Sequence, residues 1–216
     1  MQHIDRNLIQ TSLLDRVAFL RSFIGFSKED GETLNSAAPL VVPLAKGVVD
    51  AVYDHLFKYD YTTDPFTHRN KGFDGEIADL KDITVDSPQI AFRKKFLTIW
   101  VSKIFTASYE EEAIWTYLDK VGLMHTGNPA FKHRANKDPL IIDLLACNAL
   151  IAWVSDLVTK TVLELPEETL PLVKKTAVVR AFNKCMWIQS DLFTRHYTRS
   201  DEEAAAHLAA NPGLPQ

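Results

Sequence analysis

Cysteine and glycine are both scarce in this chain, and each scarcity removes a class of protein. Two cysteines occur in 216 residues, Cys147 and Cys185. Neither belongs to a C-x-x-C pair, which leaves them as small buried thiols in a reducing compartment. The eight glycines include no phosphate-cradling run and no Gly-x-Ser-x-Gly elbow, so the usual nucleotide loops and the hydrolase nucleophile turn are missing. Positive charge is not in excess: 24 Lys and Arg face 28 Asp and Glu, a formal net charge of −4. That balance argues against a phosphate-backbone binder. The N-terminus, MQHIDRNLIQ, lacks the basic-then-apolar order of a signal peptide. The most apolar long stretch, residues 140–158, is interrupted by Asp143, Asn148 and Asp156 and suits a bilayer poorly. The expectation is a cytoplasmic protein that binds neither nucleic acid nor membrane.

What the chain does have is helical punctuation. Ser87-Pro88 and Asp138-Pro139 each set a capping side chain before a proline fit for a first helical position. Ser108-Tyr109-Glu110-Glu111 reads as a capping box, and Glu167-Glu168 as an acidic first turn after Pro166. No Asn-Gly or Asp-Gly hairpin is flanked by alternating strands. The pattern predicts helices near 5–25, 27–36, 39–58, 88–106, 109–125, 138–162 and 166–197, with a short turn about 62–67. Residues 68–87 form a polar loop, long for a compact domain. Residues 1–199 then make one all-α domain, and 200–216 carry few large apolar groups and are expected to form a flexible tail.

Three apolar stripes stand out. Val49, Val52, Tyr53, Leu56 and Phe57 follow the three-and-four spacing of a buried helix face, with a phenol in its middle. Phe92, Phe96, Ile99, Trp100 and Ile104 make an aromatic face beside the basic run Arg93-Lys94-Lys95, which reads by itself as a solvated face. The third stripe, Ile114, Leu118 and Val121, ends in His125, after which Gly127, Asn128 and Pro129 break the helix. An imidazole closing a core-facing stripe needs a partner for each ring nitrogen, because an unpaired buried polar group costs roughly 1–3 kcal/mol. Either the protein supplies both partners, as for an ordinary core histidine, or one nitrogen binds something else.

His-Glu-x-x-His and Glu-x-x-His spacings are both missing, so neither a zincin nor a di-iron bundle is supported. A single histidine at a helix end among apolar and aromatic faces has the chemistry of haem ligation. There one nitrogen binds iron, the other is oriented by a hydrogen bond, and flat apolar walls cover the porphyrin. Gly122 would remove a side chain next to the ring plane.

The segment YLDKVGLMHTGNPAF resembles the proximal region of the globin-sensor and protoglobin family. Its run Val121-Gly122-Leu123-Met124-His125 fits that family's apolar-Gly-apolar-x-His pattern, and the resemblance makes His125 the iron ligand. RKKFLTIW (93–100) is similar to the family's distal helix, with Phe96 facing the distal side. VVDAVYDHLFKYD (48–60) places Tyr53 where the family carries its ligand-binding tyrosine. The resemblance spans roughly residues 27–197, with residues 5–25 supplying the family's extra N-terminal helix. It implies a globin-like fold and haem b held by His125, with Tyr53, Phe96, Phe92, Trp100, Val49, Val121, Gly122 and Met124 around it. It implies reversible binding of oxygen, carbon monoxide or nitric oxide, with Tyr53 donating a hydrogen bond to the gas. Lys94, Lys95 and Arg134 are candidates for the haem propionates.

There are departures. Val52 precedes Tyr53 where related proteins can carry an aromatic, Thr126 follows the histidine, and the bacterial-sensor continuation Gly-x-x-Pro-x-Trp is not repeated. Two other readings stay open: a haem-free interaction module whose pocket is filled by Phe92, Phe96 and Trp100, and a haem enzyme. Segments 138–162 and 166–197 carry more apolar residues than one pocket needs. Leu144, Ile151 and Val158 recur at seven-residue spacing, with Val173, Phe182 and Trp187 on the later segment. That surplus, and the four-helix bundle the family builds there, predict a homodimer. The rival is that residues 5–25 cover the surplus within one chain.

Overall fold

The computed structural model describes residues 1–69, 73–128, 130 and 140–198. The chain opens with two short helices, α1 (Arg6–Thr11) and α2 (Leu13–Ile24), rather than one. Ser12 breaks them: its backbone is extended, and its hydroxyl accepts from Asp15 N to cap α2. Helix α3 (Lys28–Val41) starts at a reciprocal capping box between Ser27 and Asp30 and runs straight through Pro39. The predicted break at 36–39 is absent because Leu34, Ala37 and Val41 form one continuous buried face. Tertiary packing there outweighs the hydrogen bond that Pro39 cannot make. The break falls instead at a 3-10 turn, Val42–Leu44, which carries Pro43, before α4 (Ala45–Leu56).

A one-turn helix α5 (Asp60–Thr63) and a second 3-10 turn (Asp64–Phe66) lead into the long loop. Helix α6 (Pro88–Thr106) follows, then α7 (Glu112–Met124), α8 (Leu144–Leu163) and α9 (Leu172–Thr194). Three predicted starts shift, those of α7, α8 and α9, while α6 begins at Pro88 as predicted. Ser108 makes no capping box; the chain from 108 to 111 is a turn, and α7 begins at Glu112. Ser87 precedes Pro88 as expected, but its hydroxyl accepts from Thr84 N in the loop instead of capping α6. Glu167 sits in a turn before α9 and accepts from Leu172 N. Asp138-Pro139 lies outside the described residues, as do Pro129 and residues 200–216; of the predicted helix 138–162, residues 140–143 are non-helical and α8 begins at Leu144.

The helices share one hydrophobic core. Helix α9 is its hub, packing on α8, α3 and α7, while α6 packs on α3 and α4. The N-terminal pair is fastened to the same hub. Arg16 of α2 grips both carboxylate oxygens of Asp191 at 2.5 and 2.7 Å, and Lys184 donates to the Gly25 carbonyl at the end of α2 at 2.7 Å. By length and apolar composition α8 would pass as a membrane span, but Cys147, Val154, Val158 and Val162 on one of its faces are buried in this core. No β-strand occurs among the described residues; a single bridge joins Thr126 to Ile141. That bridge brings the chain after α7 back beside His125.

Candidate functional site

A cavity of about 950 Å³ opens between the helices, at the upper end of the size range of small-molecule and cofactor sites. Helices α4 to α6 supply Tyr53, Leu56, Tyr61, Phe66, Arg93, Phe96, Leu97, Ile99 and Trp100 to its wall. Helices α7 to α9 and the 140–143 segment supply Tyr117, Val121, Met124, His125, Ile141, Asp143, Cys147, Ile151, Val154 and Phe193.

His125 is the C-cap of α7 and is held on several sides. Its Nδ1–H donates to the Val121 carbonyl at 2.6 Å, its backbone oxygen accepts from Ile142 N at 2.9 Å, and the Phe193 ring lies 5.2 Å away. A carbonyl oxygen only accepts, so Nδ1 carries the hydrogen, and in the neutral ring the lone pair is then on Nε2. One nitrogen anchored on a carbonyl, the other a donor atom for a metal, is how metal-ligating histidines are oriented.

Tyr53 enters the same cavity from α4. It is only 5% exposed, and burial pushes its phenol well above the ordinary tyrosine range, partly offset by the positive charge of Arg93. The hydroxyl is therefore protonated, a donor at any ordinary pH. Its ring stacks obliquely on Phe66 at 5.5 Å, and Lys94 Nζ sits 5.7 Å over the ring centre. The hydroxyl makes no hydrogen bond to any described residue, whereas buried tyrosines usually find a partner.

Of the residues singled out by sequence, His125, Tyr53, Phe96, Trp100, Val121 and Met124 line one cavity; three do not. Phe92 packs instead on Phe73 and Phe96, at 5.8 and 5.2 Å between ring centres. Val49 is buried in the core one turn before Tyr53. Gly122 faces α9: a Cβ there would come within 2.6 Å of the Leu192 carbonyl oxygen, so the missing side chain lets two helices meet and does not clear a ring plane.

The basic run is not one solvated face. Arg93 is buried, donates to the His68 carbonyl at 2.8 Å and lies 5.2 Å over the Phe66 ring. Lys94 pairs with Asp50 at 2.8 Å, Lys95 is exposed, and Arg134 lies outside the described residues. Arg93 is thus the cavity-lining cation that sequence reasoning passed over. Its spacing to Phe96, Leu97 and Trp100, three, four and seven residues, carried the signal. Tyr117, four residues before Val121, was legible in the same way; burial pushes its phenol up to about 12. The Tyr61 hydroxyl, which donates to the Asp143 carboxylate at 2.8 Å across the cavity rim, had no such signal, because both residues lie outside the stripes.

Haem fits this chemistry. The cavity offers an anchored imidazole, mostly apolar walls, a buried cation in the wall and a buried phenol donor.

No curated protein matches the chain. Its fold is similar to the globin domain of a Geobacter sulfurreducens globin-coupled sensor. At 17% identity the match has a TM-score of 0.62 and covers 84% of this chain and 97% of that one. The architecture is therefore all-α and globin-like. The family model described as Protoglobin matches residues 13–203, so the chain belongs to the protoglobin family.

Proposed function

We propose that this protein binds haem b and uses it to bind a diatomic gas reversibly, oxygen first, as a sensor or gas binder in the cytoplasm that works as a homodimer. One observation carries the reading. A single cavity receives both an imidazole whose Nδ1–H is tied back to Val121 and a nine-tenths-buried phenol with no partner among the described residues. His125 would hold the iron of a bound haem, which would supply a metal centre able to bind a diatomic gas. The chain's own residues do the rest. Val121 and Phe193 fix the ring of His125 and Ile142 its backbone, Met124 and Trp100 exclude water, and the Tyr53 hydroxyl offers a hydrogen bond to a polar ligand. Carbon monoxide and nitric oxide fit the same space. The haem-free alternative required Phe92, Phe96 and Trp100 to fill the pocket. Phe92 packs outside it, and Phe96 and Trp100 stand on its wall.

The test is reconstitution with haemin. Wild-type protein should show a sharp Soret band that survives gel filtration. His125→Ala should lose it or hold haem weakly with an altered spectrum, and added imidazole should partly restore the wild-type band. An unchanged Soret maximum and unchanged retention in His125→Ala would remove His125 from the role of ligand.

A further inference from the structure

Gln189 is the most deeply buried polar side chain among the described residues, at 0% exposure, and the proposed chemistry makes no use of it. It stands on α9, where an unsatisfied amide would be strongly unfavourable. Both ends are used. Its Oε1 accepts from the Trp100 indole Nε1–H at 3.2 Å, and its Nε2 donates to the Leu118 carbonyl at 3.2 Å. The orientation of the amide follows from the partners, since an indole N–H can only donate and a carbonyl can only accept. Three helices thus meet at one side chain: α6 through Trp100, α7 through Leu118, and α9 itself. Trp100 lines the cavity, and Gln189 does not, so the bond turns the indole N–H away from the cavity and into the core. Leu118 stands seven residues before His125 on the helix that presents it.

We propose that Gln189 is a positioning residue for the cavity. It pins Trp100 to the helix that carries His125 and keeps the indole N–H out of the ligand space, so that Tyr53 and not Trp100 donates to a ligand. Only an uncharged side chain with an acceptor and a donor on one rigid fork can do this. Glutamine has the reach, and a protonated glutamic acid would share the chemistry. The positioning claim rests on this cavity being the ligand site, but the pinning claim does not.

The experiment uses full-length protein and two readouts. In the haem-free chain, nitrogen-15 spectra resolve the indole N–H groups, and Trp100→Phe identifies that of Trp100. Gln189→Met should move this resonance upfield and speed its hydrogen exchange about tenfold, the factor implied by losing one buried hydrogen bond. Gln189→Glu should leave it in place, because a buried acid stays protonated and preserves both bonds. In haem-loaded protein, the infrared stretch of carbon monoxide should gain a second band in Gln189→Met. The double variant with Trp100→Phe should lack that band. A purely structural role would lower the melting temperature and leave both signals unmoved, which would overturn the proposal. Should Gln189→Met not fold, the wild type decides: its Trp100 indole N–H must exchange far more slowly than that of free tryptophan, and equal rates would overturn the pinning. Absence of a Soret band in wild type would defeat the haem reading separately, and the indole spectra would still decide the pinning.

Discussion

At the scale of single residues, His125 and Tyr53 are distinguished by what the far end of each side chain does. His125 hands one ring nitrogen to its own helix at Val121, while Tyr53 hands its hydroxyl to nothing described. If Tyr53 donates to a bound gas, its removal must discriminate between polar and less polar ligands. A hydrogen bond to a strongly polarised acceptor is worth on the order of 1–2 kcal/mol, so Tyr53→Phe should speed oxygen release about 5–30-fold. Carbon monoxide, much less polarised, should leave at nearly the wild-type rate. Stopped-flow release of both gases is the measurement, and equal effects on the two would mean that Tyr53 acts by packing alone. Both residues were legible in the sequence because each interrupts an apolar stripe with one polar group. Arg93 was not, because three consecutive basic residues read as a solvent face until the fold splits them among a carbonyl, a carboxylate and water.

At the scale of elements, the register between α7 and α9 fixes where His125 points. Leu118 meets Gln189, Gly122 meets Leu192 and Phe193, and His125 meets Phe193. The contacts step along α7 by four and then three residues and along α9 from Gln189 to Leu192 and Phe193, and at Gly122 the missing side chain lets the two backbones meet. Gly122→Ala would force a Cβ to 2.6 Å from a backbone oxygen and 3.0 Å from the Phe193 Cα. Neither atom can yield cheaply, so the helices must part. Overpacking of this kind costs about 1–3 kcal/mol, a fall in Tm of roughly 2–12 °C for a chain of this size. Gly47→Ala is the control. That glycine lies on the exposed side of α4 with nothing near its would-be Cβ, and alanine there should stabilise by about 0.5–1 kcal/mol. Thermal melts of the two variants should move in opposite directions. The sequence marked Gly122 as special but not why, since spacing along one helix says nothing about which neighbour touches it. Helix interiors were read well from periodicity. Their ends were not, because Ser12, Pro39 and Glu167 are settled by packing and by caps made at a distance.

At the scale of the whole molecule, the apolar surplus foreseen on the last two helices exists, carried on α9 by the foreseen Val173 and Trp187 and on α8 by other residues. Of the seven-residue repeat, Val158 goes into the core, Ile151 onto the cavity wall and Leu144 is half-buried, so the repeat served mostly this chain's own interior. What remains outside is a second stripe. Leu145, Ala149, Ala152 and Leu163 run down α8, all exposed, with the charged Asp156 and Lys160 between the last two. Val173 and Trp187 stand out on α9, at 82% and 63% exposure. The N-terminal helices do not cover them: α2 packs on α7 and α9 and ties down at Asp191, which leaves Trp187 and Leu145 in the open. An exposed tryptophan between apolar neighbours on two adjacent helices is the composition of an interface core. A homodimer through α8 and α9 should bury on the order of 1,600 Å² or more. Light scattering at micromolar concentration should give twice the mass of one chain, and the mass of a single chain would reject the dimer. Trp187→Glu should split the pair by burying a charge at the seam. Because Trp187 is not among the cavity residues, the monomer should keep its Soret band. Loss of haem together with the dimer would mean that assembly shapes the pocket itself, through the short path from Trp187 along α9 to Gln189 and Phe193.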